Sequence, residues 1–257
     1  MLERTFIRMQ DDREKSGLKN PQQLNIGVTG LGQSVGTTFV AASLAFYFAG
    51  MGNSVTFTQC LTPDRCNGLL YDSVAMDQRF ANRAFHDVYR LILEDKPVRG
   101  KKNMEQGINW ILPTPWLWQQ GKNLDSGQRA RLIQCARGEI CIFDFAAEAE
   151  WDCYLADMDR LLVVTDPMPS KLIRNKERFQ RLKALELSGV VTDWIVNRNN
   201  SGISRRQIAS YLKSRKLLWI PQFAPELFYA DEFACRFSWE NREIRSKLLE
   251  IFTKVSQ

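Results

Sequence analysis

LNIGVTGLGQSVGTTFVAASLAFYFAG, running from Leu24 to Gly50, decides how the rest of the chain is read. An apolar stretch, Leu24 to Gly30, enters a glycine-bearing turn, and the turn opens into a long apolar run with helical spacing, Thr37 to Gly50. Strand, turn and helix in that order let a turn ending Gly36-Thr37-Thr38 aim consecutive backbone amides at a phosphate, while the positive end of the helix favours the charge. The other reading of the same residues is a tightly packed strand-to-helix turn that binds nothing.

Outward from this unit, short apolar or β-branched runs recur between turn residues. They predict strands over Leu24 to Gly30, Ser54 to Cys60, Ile108 to Leu112, Glu139 to Phe145, Arg160 to Thr165, Val190 to Asn197 and Leu217 to Ile220. Apolar residues at three-and-four spacing predict helices over Thr37 to Gly50, His86 to Glu94, Ser126 to Cys135, Lys171 to Leu185, Ser204 to Ser214 and Asn241 to Lys254. Alternation of this kind implies an α/β fold, a mostly parallel sheet with helices on both faces, because parallel neighbours need helical crossovers. No linker or repeat divides the chain. Residues 24–257 are therefore expected to form one domain behind an N-terminal extension, residues 1–23, with a short helix around Thr5 to Lys15. Leu61 to Met104 reads as a less regular, insertion-like region.

The composition is that of an ordinary globular protein: 257 residues, 44% hydrophobic and 25% charged, which excludes disordered, collagenous and membrane-bundle classes. A net charge of +6 fits a basic solvated surface and does not demand nucleic acid or anionic lipid. The longest strongly apolar run, Phe39 to Met51, is too short to span a bilayer. The first 23 residues mix both charge signs without the basic-then-apolar order of a secretory signal, so a cytoplasmic protein is expected. Six cysteines and one histidine, His86, show no metal-ligand spacing and read as thiols in a reducing compartment.

The Leu24 to Gly50 segment resembles the P-loop of the MinD/ParA group of ATPases, whose deviant Walker A motif reads KGGxGK followed by Ser or Thr. The resemblance covers most of Leu24 to Lys254. EICIFDFAAEAEWD is similar to the strand that ends in the family's Walker B aspartate and puts Asp144 near magnesium; ADMDRLLVVTDPMPSKLIRN resembles the next strand, proline turn and helix. VVTDWIVNR sets Asn197 at the adenine-contacting position, and LLWIPQFAPELFYADEFACRF looks like the family's closing base-side loop. The resemblance thus implies a nucleotide site made of Gly32, Gln33, Ser34, Val35, Gly36, Thr37, Thr38 and Phe39, with Asn197, Arg198 and Pro221 beyond the loop. It implies Thr38 and Asp144 as metal-side residues for ATP or ADP with Mg2+.

The same comparison exposes departures. Gly32 replaces the signature lysine that in the family reaches across a dimer, Gln33 and Ser34 replace two glycines, and Thr37 replaces the phosphate-binding lysine. A charge-assisted bond is worth roughly 1.5 to 3 kcal/mol, so the change at Thr37 alone implies about 10- to 100-fold weaker nucleotide binding, down to none. A GVGTT turn is also found in the cellulose-synthesis Q-type relatives. At the end of the second strand, TFTQCLTPD offers Gln59 and Cys60 where the family carries the aspartate that positions the attacking water, and Asp64 lies too far along. With those charges missing, the transition state loses its main stabilisers, and no catalytic residue is assigned.

Other groupings give way to simpler accounts. His86 is expected at the surface. The basic residues Lys171, Arg174, Lys176, Arg178, Arg181 and Lys183, and Arg198, Arg205, Arg206, Lys213, Arg215 and Lys216, are read as solvated faces ahead of nucleic-acid contacts. Ile244, Leu248, Ile251, Phe252 and Val255 are read as core in preference to a membrane anchor. Trp110, Trp116 and Trp118 are read as core or as a docking surface for a protein partner or a second copy. Any membrane association is expected only through partners. The resemblance implies a degenerate, non-hydrolysing or weakly nucleotide-binding assembly or localisation factor for a cell-envelope machine, like the Q-type and the tight-adherence pilus Z-type proteins. The alternatives are an active partition or positioning ATPase, or a nucleotide-free subunit paired with an intact homologue.

Overall fold

In the computed structural model, residues 23–62, 68–76, 83–214 and 216–255 are described. The expected Thr5 to Lys15 helix, Asp64, Cys66, Arg215 and the side chain of Trp118 lie outside the described residues. Eight strands form one sheet: β1 (Leu24–Gly30), β2 (Val55–Cys60), β3 (Met104–Glu105), β4 (Ile108–Ile111), β5 (Ile140–Phe145), β6 (Arg160–Thr165), β7 (Thr192–Asn199) and β8 (Leu217–Pro221). Their order is β3-β4-β2-β5-β1-β6-β7-β8. Every neighbouring pair is parallel except β3 with β4. The expected mostly parallel sheet covered on both faces is what the chain forms. All six residues of β2 and all six of β5 are buried, as in a sheet covered on both faces; β5 reads as a nearly continuous apolar run, whereas β2 buries Thr56, Thr58 and Gln59 among its apolar residues.

Two corrections follow from local chemistry. The two-residue β3 was not expected; it is too short to show a period and exists only because it pairs with β4. The single helix expected over Lys171 to Leu185 is two helices, Pro169–Arg174 and Lys176–Leu187, joined at Asn175. Asn175 leaves helical geometry at φ −102°, ψ 24°, and its side-chain amide donates to the Lys171 carbonyl at 2.6 Å, competing with the backbone ladder. Among the described residues, the region from Leu61 to Met104 contains two short helices, Leu69–Ala75 and Val88–Leu93. A further helix, Pro225–Phe233, follows β8.

The helix Thr37–Gly50 has no polar face: every residue from Val40 to Phe48 is buried. Such a helix must be covered all round. One side packs on β1, β2 and β5, and the other is closed by Phe237, Trp239 and the helix Arg242–Phe252. Ile244, Leu248, Ile251, Phe252 and Val255 are all buried in this layer, so the core reading of that helix holds. Trp110 is fully buried between Phe57 and Phe237 and belongs to the same core. The opposite face of the sheet is covered by the helices Val88–Leu93, Ser126–Cys135, Lys176–Leu187 and Arg205–Leu212. Among the described residues no helix is long and apolar enough to cross a membrane.

β1 lies between β5 and β6, with β2 beyond β5 on one side and β7 beyond β6 on the other. The crossovers therefore change direction at β1, and the crevice at its carboxyl end is where an open α/β sheet places its ligands.

Candidate functional site

Backbone geometry builds the turn after β1. Gly30 has no room for a side chain, since a Cβ there would meet the Gly32 carbonyl oxygen at 2.5 Å and Thr37 Oγ1 at 2.8 Å. Gly36 adopts φ 90°, and a Cβ would lie 2.2 Å from Asn197 Nδ2. Ser34 is held in the left-handed region at φ 55°, although it carries a side chain. Alternating left-handed residues of this kind turn successive amides towards one concavity. Gly36 caps the Thr37–Gly50 helix without a side-chain bond, and the first intrahelical bond runs from the Val40 amide to the Gly36 carbonyl. The amides of the first turn, on Thr37, Thr38 and Phe39, thus lack an intrahelical acceptor.

Beneath the turn sits Arg178, expected in the solvated basic face and instead buried. Its Nε donates to the Gly30 carbonyl at 2.9 Å, its Nη2 donates to Thr29 Oγ1 at 2.8 Å, and Nη1 pairs with Asp152. The guanidinium ties the end of β1 to the helix Lys176–Leu187. His86, expected at the surface, is half-buried, and among the described residues its enclosed Nε2 has no partner.

Asp144 lies at the end of β5, opposite Val28 of β1 and Gln59 of β2. Thr38 Oγ1 donates to its Oδ2 at 2.7 Å and Gln59 Nε2 reaches the same oxygen at 3.4 Å. Burial raises the Asp144 carboxyl to about 6, with the two donors pulling it down. The thiol of Cys60 is pushed well up by burial and then by the Asp144 charge. Tyr89 donates its hydroxyl to the Gln59 carbonyl, which fixes the backbone at the end of β2.

On the other side of the turn, Asn197 Nδ2 donates to the Val35 carbonyl at 2.9 Å, and its Oδ1 accepts from the Arg198 amide. Arg198, itself left-handed at φ 59°, donates from Nη1 to the Ser34 carbonyl at 3.0 Å and to Asp166 Oδ2 at 2.6 Å. Lys171 Nζ makes the same two contacts at 3.3 and 3.1 Å. Burial alone would raise Asp166, but the Met168 amide, Arg198 and Lys171 outweigh it and hold the carboxyl below its ordinary value. Asp166 and the part played by Lys171 were not foreseen. The only sequence signal is a polar residue at the end of a strand, before Pro167.

All of Gly32 to Phe39, together with Asp144, Asn197, Arg198 and Pro221, line one cavity of about 700 Å³. That size and its mixture of apolar wall and convergent polar groups suit a small ligand. The far wall is aromatic, including Phe46, Phe228, Tyr229 and Trp239. Gln59 does not line the cavity but supports Asp144 from below. The residues fit a phosphate group with a divalent cation: two glycines leave space that a Cβ would fill, and Thr38 and Asp144 present hard oxygen donors side by side.

No family model and no curated protein matches the sequence. Among solved structures, the chain is similar to a ParA family ATPase from Chlorobium tepidum TLS, with a TM-score of 0.68, 16% identity, and 90% of this chain and 98% of that one covered. It is similar to the septum site-determining protein MinD complexed with Mg-ADP from Pyrococcus horikoshii OT3, at TM-score 0.65 and 13% identity, covering 92% and 96%. A putative plasmid partition protein from Borrelia burgdorferi B31, bound to AMPPNP, gives 0.63 and 13%, covering 91% and 99%. The fold is the MinD/ParA P-loop fold.

Proposed function

We propose that this chain is a degenerate MinD/ParA-like P-loop protein, a non-hydrolysing or weakly nucleotide-binding assembly or localisation factor that serves a cell-envelope machine from the cytoplasm. Residues 24–257 act as one domain in this reading, with residues 1–23 as an extension. The observation that carries the reading is a loop with the fold's backbone shape and without its charges. Thr37 and Gly32 stand where the family has lysines, and Gln59 presents an amide to Asp144 where the family has a carboxylate nearby. A bound magnesium nucleotide would bring its own charge neutralisation through the metal. The chain would contribute amides, Thr38, Asp144 and a shaped cavity, which bind and orient but do not activate water.

A nucleotide-free subunit paired with an intact homologue is a second reading, and Asn197 supports it. Its side-chain amide is engaged in holding Val35 and Arg198, the loop and its neighbour, in place of a base. Calorimetric titration with ATP and Mg2+, together with a steady-state turnover assay, separates these ideas. Measurable binding with background turnover supports the first reading. No binding supports the second, and turnover abolished by Thr38→Ala would overturn both in favour of an active switch.

A further inference from the structure

Two cations stand over the loop without being part of its motif. Lys171 and Arg198 come from separate elements, the helix Pro169–Arg174 and the strand β7, yet they converge on the same two acceptors, Asp166 Oδ2 and the Ser34 carbonyl. One carboxylate needs one cation, so this arrangement leaves a surplus positive charge. Asp166 is 4% exposed, whereas Lys171 and Arg198 are 35% and 45% exposed and keep one side open to solvent. Ser34 is a left-handed residue of the loop, and Arg198 lines the cavity beside it, while Lys171 reaches the same carbonyl from just outside the cavity lining.

The segment that brings Lys171 also closes the position of the lost lysine. Asn175 packs against Gly32 so closely that a Cβ at Gly32 would meet Asn175 Nδ2 at 2.4 Å, and the Asn175 amide is held by the Lys171 carbonyl. The segment is pinned from outside by the Tyr211 hydroxyl, which donates to the Leu172 carbonyl at 2.9 Å. Glycine at Gly32 is thus part of the same packing arrangement that seats the segment carrying Lys171.

We propose that Lys171 and Arg198, positioned by Asp166, replace the missing loop lysines and bind the phosphate groups of an oligophosphate ligand, the phosphate tail of a nucleotide or inorganic tripolyphosphate. On binding, their donors exchange the Ser34 carbonyl for phosphate oxygens, which are charged and therefore stronger acceptors. The nucleotide arm of this inference rests on the function proposed above; the tripolyphosphate arm does not.

The test is calorimetric titration of the full chain with two probes, ATP with Mg2+ and inorganic tripolyphosphate, at low and high salt. Wild type is compared with Lys171→Gln, Arg198→Gln, the double variant and Lys171→Arg, with thermal melts reporting folding. The expected result is about a tenfold loss of affinity for each Gln variant, about a hundredfold for the double variant, and retention in Lys171→Arg. The double variant is also expected to lose most of the salt dependence. Should Arg198→Gln fail to fold, Lys171→Gln, on a partly exposed side chain, carries the test alone. Tripolyphosphate binding that needs both cations, with no ATP binding, would sustain this inference while removing the nucleotide reading. ATP binding within twofold of wild type in every variant would overturn the cation pair and leave the nucleotide reading standing. Absence of binding to either probe by wild type overturns the inference.

Discussion

Replacing Asp144 with asparagine should make the ligand-free protein more stable at neutral pH, although it removes a strand-end acid from the lining of the cavity. Asp144 is buried at 1% exposure beside Cys60, and among the described residues its charge is answered by two neutral donors and no cation. Burial lifts its carboxyl from an ordinary 3.8 to about 6. Between these values the folded chain holds a proton that the unfolded chain has released, so stability falls as pH rises through the window, and the full penalty is present above it. At 1.36 kcal/mol per pH unit the penalty is about 3 kcal/mol. Thr38 and Gln59 both donate to the same oxygen, so an asparagine with its carbonyl there keeps both bonds without the charge.

The expected gain for Asp144→Asn is therefore about 3 kcal/mol at pH 7.5, or roughly 6 to 12 °C in Tm for a domain of this size, shrinking towards zero near pH 4. Urea unfolding of both proteins across pH 4 to 7.5 measures it. A variant less stable than wild type at pH 7.5, or a difference that does not change with pH, would refute the reasoning. Magnesium nucleotide should stabilise wild type more than the variant, because the ionised carboxylate that costs stability is the group that faces a cation.

Gly36→Ala should destabilise the fold by about 1 to 3 kcal/mol in thermal unfolding and abolish any nucleotide binding, since its φ is 90° and the new Cβ would meet Asn197 at 2.2 Å. Arg178→Met should cost about 1 to 3 kcal/mol in urea unfolding, because it frees the Gly30 carbonyl and Thr29 hydroxyl at the root of the loop and leaves Asp152 only the longer pair with Arg181. Restoring lysine at Thr37 should tighten ATP binding about 10- to 100-fold by calorimetry, an unchanged affinity pointing to a loop that does not admit phosphate. Sedimentation with and without ATP and magnesium should give the same oligomeric state, because Gly32 cannot supply the contact that links dimerisation to nucleotide in the family; a dimer formed only with ATP would refute this.

Local pattern determined most of the architecture. β1, β6 and the helices Thr37–Gly50 and Ser126–Cys135 have the limits their residues predict, because buried parallel strands and strongly periodic helices carry their signal within a few neighbouring residues. Thr38, Asp144 and Asn197 were picked out by the family resemblance, not by periodicity, and the structure gathers all three on one cavity at the ends of their elements. Elsewhere the decisive partner is distant in sequence. The break at Asn175, the burial of Arg178 beneath β1, the pairing of β3 and the gathering of Lys171 and Arg198 on Asp166 all depend on it. Arg178 lies 148 residues from the Gly30 carbonyl, and Lys171 lies 137 residues from Ser34. A basic residue on a helix is solvated by default. Whether it is instead buried against a carbonyl or held over a loop is decided by which elements the sheet order brings side by side, and by whether a carboxylate waits there to offset the cost of desolvating the charge.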